Sequence, residues 1–494
     1  MKRTLKNLGT CMLLAVIGVG CTTVGPPYEA PTAPMEQYWL DHEDPLLSVT
    51  STVSAAWWKE AFNDPVLDQL VELALAENLS LQSAGLRVLQ AQQQRAIAIG
   101  GLFPQQQQAS GSASKQKASG TTFDNYALGF NVGWELDFWG RFRLQVESAT
   151  AGLEASVASY DGALVSLVAQ VAGTYIQIRT LQDRIVVARE NIKLQEESLR
   201  ITSAKSEAGE VSELDTDQAE SLVNNTRATV VSLELSLQQA ENSLAVLLGK
   251  PPHDISELLG ADKGIPSVPS ELALGMPQDL IRQRPDIRVA ERQLAAQSAQ
   301  IGYAITELYP HLSIGGSVGT TAEDSGDLFT SPSQTWSGLG SFQWNLFNYG
   351  RLKNNVRLQD AVFQQLLLDY RDTVLQAQAD VENAIVAYLK SHEQLVLYQK
   401  AAEYSKRAVD ISNAQYEDGL VGFNTVISTL SADAQQQDLL ASIKGGIAGS
   451  LIQVYTALGG GWEIRENRDP VNMLPDGVKE EMRERTGIWK NILK

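Results

Sequence analysis

Cysteine is almost absent from this chain, which carries two, Cys11 and Cys21, among 494 residues. Three basic residues precede an apolar run that ends at Gly20, the layout of a secretory signal peptide over residues 1–20. Removal of that peptide leaves Cys21 as the single cysteine. The mature chain can therefore form neither an internal disulfide framework nor a cysteine-based metal site.

Positive charge and long apolar runs are also scarce. The net charge of −19 becomes −22 without the first 20 residues, which excludes a nucleic-acid binder because such proteins need clustered positive charge. Beyond residue 25 we find no apolar run near the roughly 18 residues of a transmembrane helix. If the chain crosses a membrane, it must do so as a closed β-barrel, the other structure that satisfies every backbone hydrogen bond in lipid.

Catalytic and metal-binding patterns are lacking. The four histidines stand without partners at metal-ligand spacing: His42, His253, His311 and His392. The sequence shows no phosphate-binding loop, and its glycine clusters lack the spacing of a nucleotide fingerprint. We therefore expect no enzyme activity, no cofactor and no metal.

An internal repeat organises what is present. The segment Trp134–Arg141 recurs as Trp344–Arg351, at an offset of 210. Further matches are Gly209 with Gly419 at the same offset, and Leu102-Phe103-Pro104 with Leu308-Tyr309-Pro310 at an offset of 206. A duplication of this length predicts two tandem copies of one supersecondary unit.

Proline is absent from 105–250 and from 333–469, so neither stretch contains a residue that forces a helix to break. Apolar residues recur there every seven positions, as is typical of helices in a left-handed supercoil: Leu164, Val171, Ile178, Ile185, Ile192 and Leu199, then Val374, Val381, Tyr388, Leu395, Ala402, Val409 and Tyr416. The predicted helices are Arg141–Ala208, Val211–Leu248, a counterpart of the latter from Gly419 to about Leu458, Asp64–Phe103 and Gln278–Tyr309. The first of these is about 100 Å long at 1.5 Å per residue.

Strand patterns lie between the helices, in hairpins at about 105–138 and 311–347. From Tyr126 to Phe138 large apolar residues occupy every even position and small or polar residues every odd one, as a strand between lipid and water requires. Weaker alternation involves Leu312, Ile314 and Val318, then Trp336, Phe342, Trp344 and Leu346. Aromatic residues suited to a membrane interface cluster where strand meets helix: Trp134, Phe138, Trp139, Trp344, Phe347 and Tyr349. Four strands are too few to close a membrane barrel, so we expect several subunits to share one.

Together with these features, two N-terminal motifs carry a family resemblance. Val19-Gly20-Cys21 resembles a bacterial lipobox, and Val24-Gly25-Pro26-Pro27-Tyr28 follows it. The chain resembles the TolC-like outer-membrane factor family, in its NodT/OprM-type efflux lipoprotein branch. The resemblance implies a mainly α fold with a β-barrel part, in which a homotrimer forms a 12-stranded transmembrane β-barrel and a periplasmic α-barrel.

The resemblance also implies a location, partners and a role. A protein of this branch sits in the outer membrane of a Gram-negative bacterium, acylated at Cys21, and contacts outer-membrane lipid. It is the passive exit duct for small molecules, opened by a periplasmic adaptor and an inner-membrane pump, here of the resistance-nodulation-division type. The alternatives are a duct for type I protein secretion and, against the evidence of the duplication, a structural trimeric coiled-coil surface protein.

Two sets of site residues follow from the turns between long helices. Gly209 and Gly419 predict helix ends, and Ser212 and Asn424 stand where the next helices could be capped. By resemblance, the adaptor contacts are Gly209, Val211, Ser212, Gly419, Val421 and Gly422, and the periplasmic constriction is lined by Tyr416, Asn424 and Ser428. Because Asn424 and Ser428 carry no carboxylate, the predicted gate is polar and uncharged.

The predicted organisation has six segments. They are a signal peptide at 1–20, a lipid-anchored segment at 21–63, a first repeat at 64–250, a linker at 251–275, a second repeat at 276–461 and a polar tail at 462–494.

Overall fold

The protein is described by a computed structural model that covers residues 23–36, 38–49, 54–252, 255–261, 264–269, 272–274 and 283–493. The chain divides into two compact units. The first contains 87–158 and 288–372 with the N-terminal segment up to Ala33, and the second contains 34–86, 159–287 and 373–494. Cys21 and the signal peptide lie outside the described residues.

Four long strands form one antiparallel sheet in the first unit. They are β2 (Gln106–Ala118), β3 (Thr121–Leu136), β5 (His311–Ala322) and β6 (Gln334–Gln343), in the spatial order β2-β3-β5-β6. Each predicted hairpin therefore forms, and the contact between β3 and β5 joins the two copies. In the described part of the chain, β2 and β6 each have one neighbouring strand, so both keep an open edge.

One face of this sheet is apolar and exposed. The register aligns Trp134 with Ile314, Phe130 with Val318, and Val318 with Trp336. Trp134 is half-buried and the others are exposed, Val318 by 60% and Trp336 by 84%. The intervening positions are mostly small or polar, and the hydroxyls of Ser317 and Ser337 lie 2.7 Å apart across two strands. Such a contiguous apolar face is typical of a surface that contacts lipid or a partner.

Two helices of 67 residues dominate the rest of the fold: α4 (Arg141–Glu207) and α8 (Arg351–Glu417). Most of the predicted seven-residue stripe is buried, including Leu164, Val171 and Val381 at no more than 1% exposure. Towards the end of α4 the stripe departs from the prediction, because Ile192 and Leu199 are half-buried while Gln195 and Thr202 are buried. Gln195 and Thr202 lie three residues after Ile192 and Leu199, so the buried face of α4 moves around the helix and leaves the seven-residue stripe.

The remaining helices of the second repeat resemble those of the first. α5 (Glu213–Leu247) follows α4, and α9 (Phe423–Ala457) follows α8, each 35 residues long. α7 (Pro285–Thr306) precedes β5 and is shorter than the predicted Gln278–Tyr309, whose first residues up to 282 lie outside the described part. β6 ends before Trp344 and Leu346, which were predicted to belong to it and lie in the turn that follows.

The predicted helix Asp64–Phe103 is interrupted. α2 (Pro65–Glu77), preceded by the short α1 (Trp57–Phe62), is followed after Asn78 by α3 (Leu79–Gly100). Asp64 caps α2, since its carboxylate accepts the Val66 N–H at 2.9 Å. Asn78 breaks the helix because its side chain accepts the Leu81 N–H and donates to the Leu247 carbonyl, each at 2.9 Å.

Several short elements and the C-terminal segment belong to the second unit. β1 (Leu47–Val49) pairs in parallel with β4 (Leu272–Leu274), and the short helix α6 (Ser256–Leu259) contacts α2. The segment after Trp462, predicted as a polar tail, contains α10 (Asp476–Arg485) and is held by packing. Its Arg465 guanidinium forms a buried ion pair with Asp161 at 2.7 Å. Removing either partner would leave an uncompensated charge in the interior, which is strongly destabilising.

One helix has a stretch apolar enough to pass a length-and-hydropathy test for membrane spanning, contrary to the sequence expectation. The stretch belongs to α4, and 56% of it is buried inside the protein. The core helix of a soluble unit passes the same test, so the stretch is weak evidence for a transmembrane helix.

Candidate functional site

The turns between long helices have the geometry that their glycines predict. Gly209 and Gly419 have φ of +74° and +73°, the left-handed conformation that ends a helix. The Glu210 N–H donates to the Lys205 carbonyl at 2.9 Å, and the Leu420 N–H donates to the Gln415 carbonyl at 2.8 Å. These bonds close each helix with the same Schellman motif, so the two turns are structural repeats.

Both turns sit on one apolar cluster, which we call the tip cluster. Its buried members are Ala219, Val409, Tyr416, Phe423, Val426 and Leu430, with Val211 and Val421 packed against it. The rings of Tyr416 and Phe423 lie 5.2 Å apart. Of the predicted adaptor contacts, Gly209, Ser212, Gly419 and Gly422 are exposed, whereas the two valines are half-buried. The glycine turns are thus closed by hydrogen bonds, exposed to solvent and packed on the tip cluster through two valines.

The three predicted constriction residues occupy different environments. Asn424 and Ser428 are exposed on α9, whereas Tyr416 is buried in the tip cluster. Burial raises the pKa of the Tyr416 hydroxyl. Asn424 was predicted at a cap position, and this is wrong: Gly422 occupies the cap position of α9, and Asn424 lies inside the first turn. Ser212 does occupy the cap position of α5, without a side-chain bond.

Lys205 was missed by the sequence analysis. Its ammonium donates to the carbonyls of Tyr416 and Glu417, at 3.2 and 3.1 Å, and lies 5.2 Å from the centre of the Tyr416 ring. A cation at a helix C-terminus satisfies carbonyls that lack partners within the helix. Lys205 therefore ties the end of α8 to α4. The available signal was a basic residue in the last turn before Gly209.

The interface aromatics gather at two strand-to-helix junctions. The Trp134 indole donates to the Leu102 carbonyl at 3.2 Å, and its repeat counterpart Trp344 donates to the Leu308 carbonyl at 2.9 Å. Trp139 donates to the Pro310 carbonyl at 2.9 Å. Exposure rises through the set, from the half-buried Trp134, Phe138 and Trp139 to Trp344, Phe347 and Tyr349, which are exposed.

An ion cluster supports the first junction. The Arg141 guanidinium contacts the carboxylates of Glu135 and Glu307 at 3.0 and 3.1 Å, and His311 lies 2.9 Å from Glu135.

No group of three or more histidine, cysteine or acidic side chains in the described ranges is arranged to hold a metal ion.

The comparisons with known proteins decide the family. The family model "Outer membrane efflux protein" matches residues 70–250 and 276–460. The chain belongs to the outer membrane efflux protein family. The predicted family, fold class and location in the outer membrane are confirmed, as is the prediction of an efflux channel.

Individual relatives match along most of their length. The chain is 31% identical to nodulation protein T of Rhizobium leguminosarum bv. viciae, over 94% of this chain and 93% of that protein. It is 33% identical to the pyoverdine export outer membrane protein OpmQ of Pseudomonas aeruginosa, over 82% and 87%. The solved outer-membrane channel OprN shares 32% identity at a TM-score of 0.84, over 89% and 99%.

Proposed function

We propose that this chain is the outer-membrane channel of a tripartite efflux system. Three copies form it, each giving four strands to one 12-stranded barrel and its long helices to a periplasmic tunnel. The observation that carries the proposal is a duplicated unit in which an open, apolar-faced sheet continues through glycine junctions into helices of 67 residues. The duct itself catalyses nothing, and its opening depends on an adaptor and an inner-membrane pump of the resistance-nodulation-division type.

The turns and the exposed face of α9 take the two roles predicted for them. The exposed Gly209, Ser212, Gly419 and Gly422 would meet the adaptor, with Val211 and Val421 holding the turns to the tip cluster. Asn424 and Ser428 would line the constriction, and the buried Tyr416 would set their position from behind.

Acylation of Cys21 anchors the subunit. The described chain begins just after this residue, and the Val24 N–H donates to the Trp139 carbonyl at 3.1 Å. This bond ties the described N-terminal segment to the first strand-to-helix junction, where Trp134, Phe138 and Trp139 lie. These rings favour the headgroup level of a bilayer, where an acyl chain can enter the membrane.

An efflux assay tests the proposal. The chain is expressed with its adaptor and pump in cells that lack their own efflux channels, and intracellular accumulation of a fluorescent pump substrate is measured. We expect low accumulation with all three components and high accumulation when this chain alone is omitted. Equal accumulation in both strains, with the chain present in the outer membrane, would refute the role. Secretion of a protein without any effect on the dye would favour the type I duct.

A further inference from the structure

The two strand-to-helix junctions are repeats in sequence but differ in their surroundings. Trp139 and Tyr349 correspond at the offset of 210, and each precedes a glycine with φ near +80°, Gly140 at +84° and Gly350 at +82°. Phe103 and Tyr309 correspond at the offset of 206. A contact that one junction makes with the other repeat therefore has an equivalent pair of residues at the other junction.

The first junction is covered within the subunit. The Trp139 and Tyr309 rings stack with centroids 4.6 Å apart and planes inclined by 28°. The Trp139 indole also donates to the Pro310 carbonyl. This contact reaches from the first copy to the second, because β3 pairs with β5. The Trp139–Tyr309 stack is therefore a template for a contact between the equivalent residues, Tyr349 and Phe103.

The second junction is open, and so is the surface that matches it. Tyr349 is fully exposed and Phe347 is 93% exposed, in the segment that follows the edge strand β6. Phe103, three residues before the edge strand β2, is 61% exposed, and Ile97 on α3 is 75% exposed. Tyr349 also has a φ of +50°, which is rare for a bulky residue. Large exposed rings at both free edges indicate a surface made for a partner.

The internal repeat identifies that partner as a second copy of this chain. We infer that the Tyr349 ring of one subunit stacks on Phe103 of the neighbouring subunit, in the place where Trp139 stacks on Tyr309 within a subunit. This inference rests on the proposed trimer. In a ring of subunits, the free edge of β6 in each subunit meets the free edge of β2 in the next. The same contact therefore recurs at every subunit boundary.

The inferred contact is less charged than its template. The ion cluster of Arg141, Glu135 and Glu307 maps by the offsets onto Arg351, Asn345 and Gly101. The counterparts contain no carboxylate, so the boundary between subunits depends on ring stacking and strand pairing. Surface ion pairs are screened by salt and stacked rings are not, so salt should leave this contact intact.

Cysteine crosslinking in the outer membrane tests the pair. The double variant Phe103→Cys/Tyr349→Cys is treated with an oxidant or a short bis-maleimide. Each single variant controls for Cys21, and Trp139→Cys/Tyr309→Cys serves as the matched pair within one subunit. Phe103→Cys/Phe329→Cys is the distant control, because Phe329 lies beyond the far end of β5, about 35 Å away at about 3.3 Å per residue.

We expect covalent dimers and trimers from the double variant, no covalent oligomer from the single variants or the distant pair, and a crosslinked monomer from the matched pair. Oligomeric state before crosslinking is read from a native gel of the same sample. A trimer on that gel without crosslinks from the double variant would overturn the stacking and leave the proposed function standing. A folded protein that runs as a monomer would overturn both.

Discussion

Single side chains hold the ends of the long helices in place. The Lys205 ammonium donates to carbonyls at the end of α8 and lies over the Tyr416 ring. The hydroxyl of Ser405 donates to the buried Asp433 at 2.7 Å. The first contact joins α8 to α4, more than 200 residues apart, and the second joins the consecutive helices α8 and α9. Hydrogen bonds to a charged group stabilise by about 1.5–3 kcal/mol, so the loss of one is measurable at a helix end.

Lys205→Met tests this tie, because methionine keeps most of the apolar stem and removes the ammonium. We expect the end of α8 to fray and protease cleavage near residues 415–420 to become about tenfold faster, the effect of roughly 1.4 kcal/mol. The measurement is limited proteolysis with fragment masses. Lys193→Met, on the exposed surface of the same helix, is the control. Equal cleavage rates in the two variants would show that the tie is not stabilising.

His392 gives the stability of α8 a pH dependence. Burial lowers the pKa of this histidine below its usual 6.5, and its ring packs edge-on against Tyr388 at 4.6 Å. In the unfolded chain it binds a proton near pH 6.5, so stability falls as the pH drops through that value. We expect the thermal midpoint to fall less between pH 7 and pH 5 in His392→Gln than in the wild type. Identical slopes would contradict this assignment.

Residue patterns predict where a helix begins or ends more readily than which of its side chains face inward. Gly209 and Gly419 were predicted correctly as helix ends because a left-handed turn depends on local backbone chemistry. Tyr416 and Asn424 were harder, since only the packing of several helices decides which side of a helix faces inward. The burial of Gln195 and Thr202 in place of Ile192 and Leu199 has the same origin.

Among the secondary-structure elements, the strands are the ones proposed to contact the membrane. β3 presents Phe130 on the apolar face and Asn131 on the opposite one. A charged side chain on the lipid face of a barrel costs about 2–4 kcal/mol at the bilayer midplane, whereas the lumen tolerates it. Adjacent residues on this strand therefore have opposite tolerance for charge.

The pair Phe130→Arg and Asn131→Arg tests this difference with the same new side chain. We expect Phe130→Arg to reduce the amount of protein in the outer membrane severalfold, and Asn131→Arg to leave it close to the wild type. The measurement is an immunoblot of sucrose-gradient membrane fractions. Equal loss in both variants would mean that the alternation of β3 does not separate lipid from water.

Elements with a long, regular pattern were predictable, and short or interrupted ones were not. The ends of α4 and α8 fall within one residue of glycine-based expectations, because 67 residues of heptad pattern leave little ambiguity. The break at Asn78 depends on a bond to Leu247, 169 residues away. β1 and β4 have three residues each and pair across more than 200 positions, so their sequences alone carry no periodic signal.

In the whole molecule, the proposed gate is a ring of neutral side chains. Asn424→Asp would place one carboxylate per subunit at the constriction, and a ring of carboxylates attracts cations. We expect the variant to shift the reversal potential of single channels in a salt gradient towards cation selectivity. Asn424→Gln is the neutral control. An unchanged reversal potential in Asn424→Asp would place this residue outside the pore.

The number of subunits tests the account most directly, since four strands with two open edges form a membrane channel only when copies join. Native mass spectrometry of the protein extracted from the outer membrane gives that number in one measurement. The account predicts three copies of the chain, each beginning at Cys21 and carrying acyl groups. A folded monomer or dimer as the largest species would contradict it.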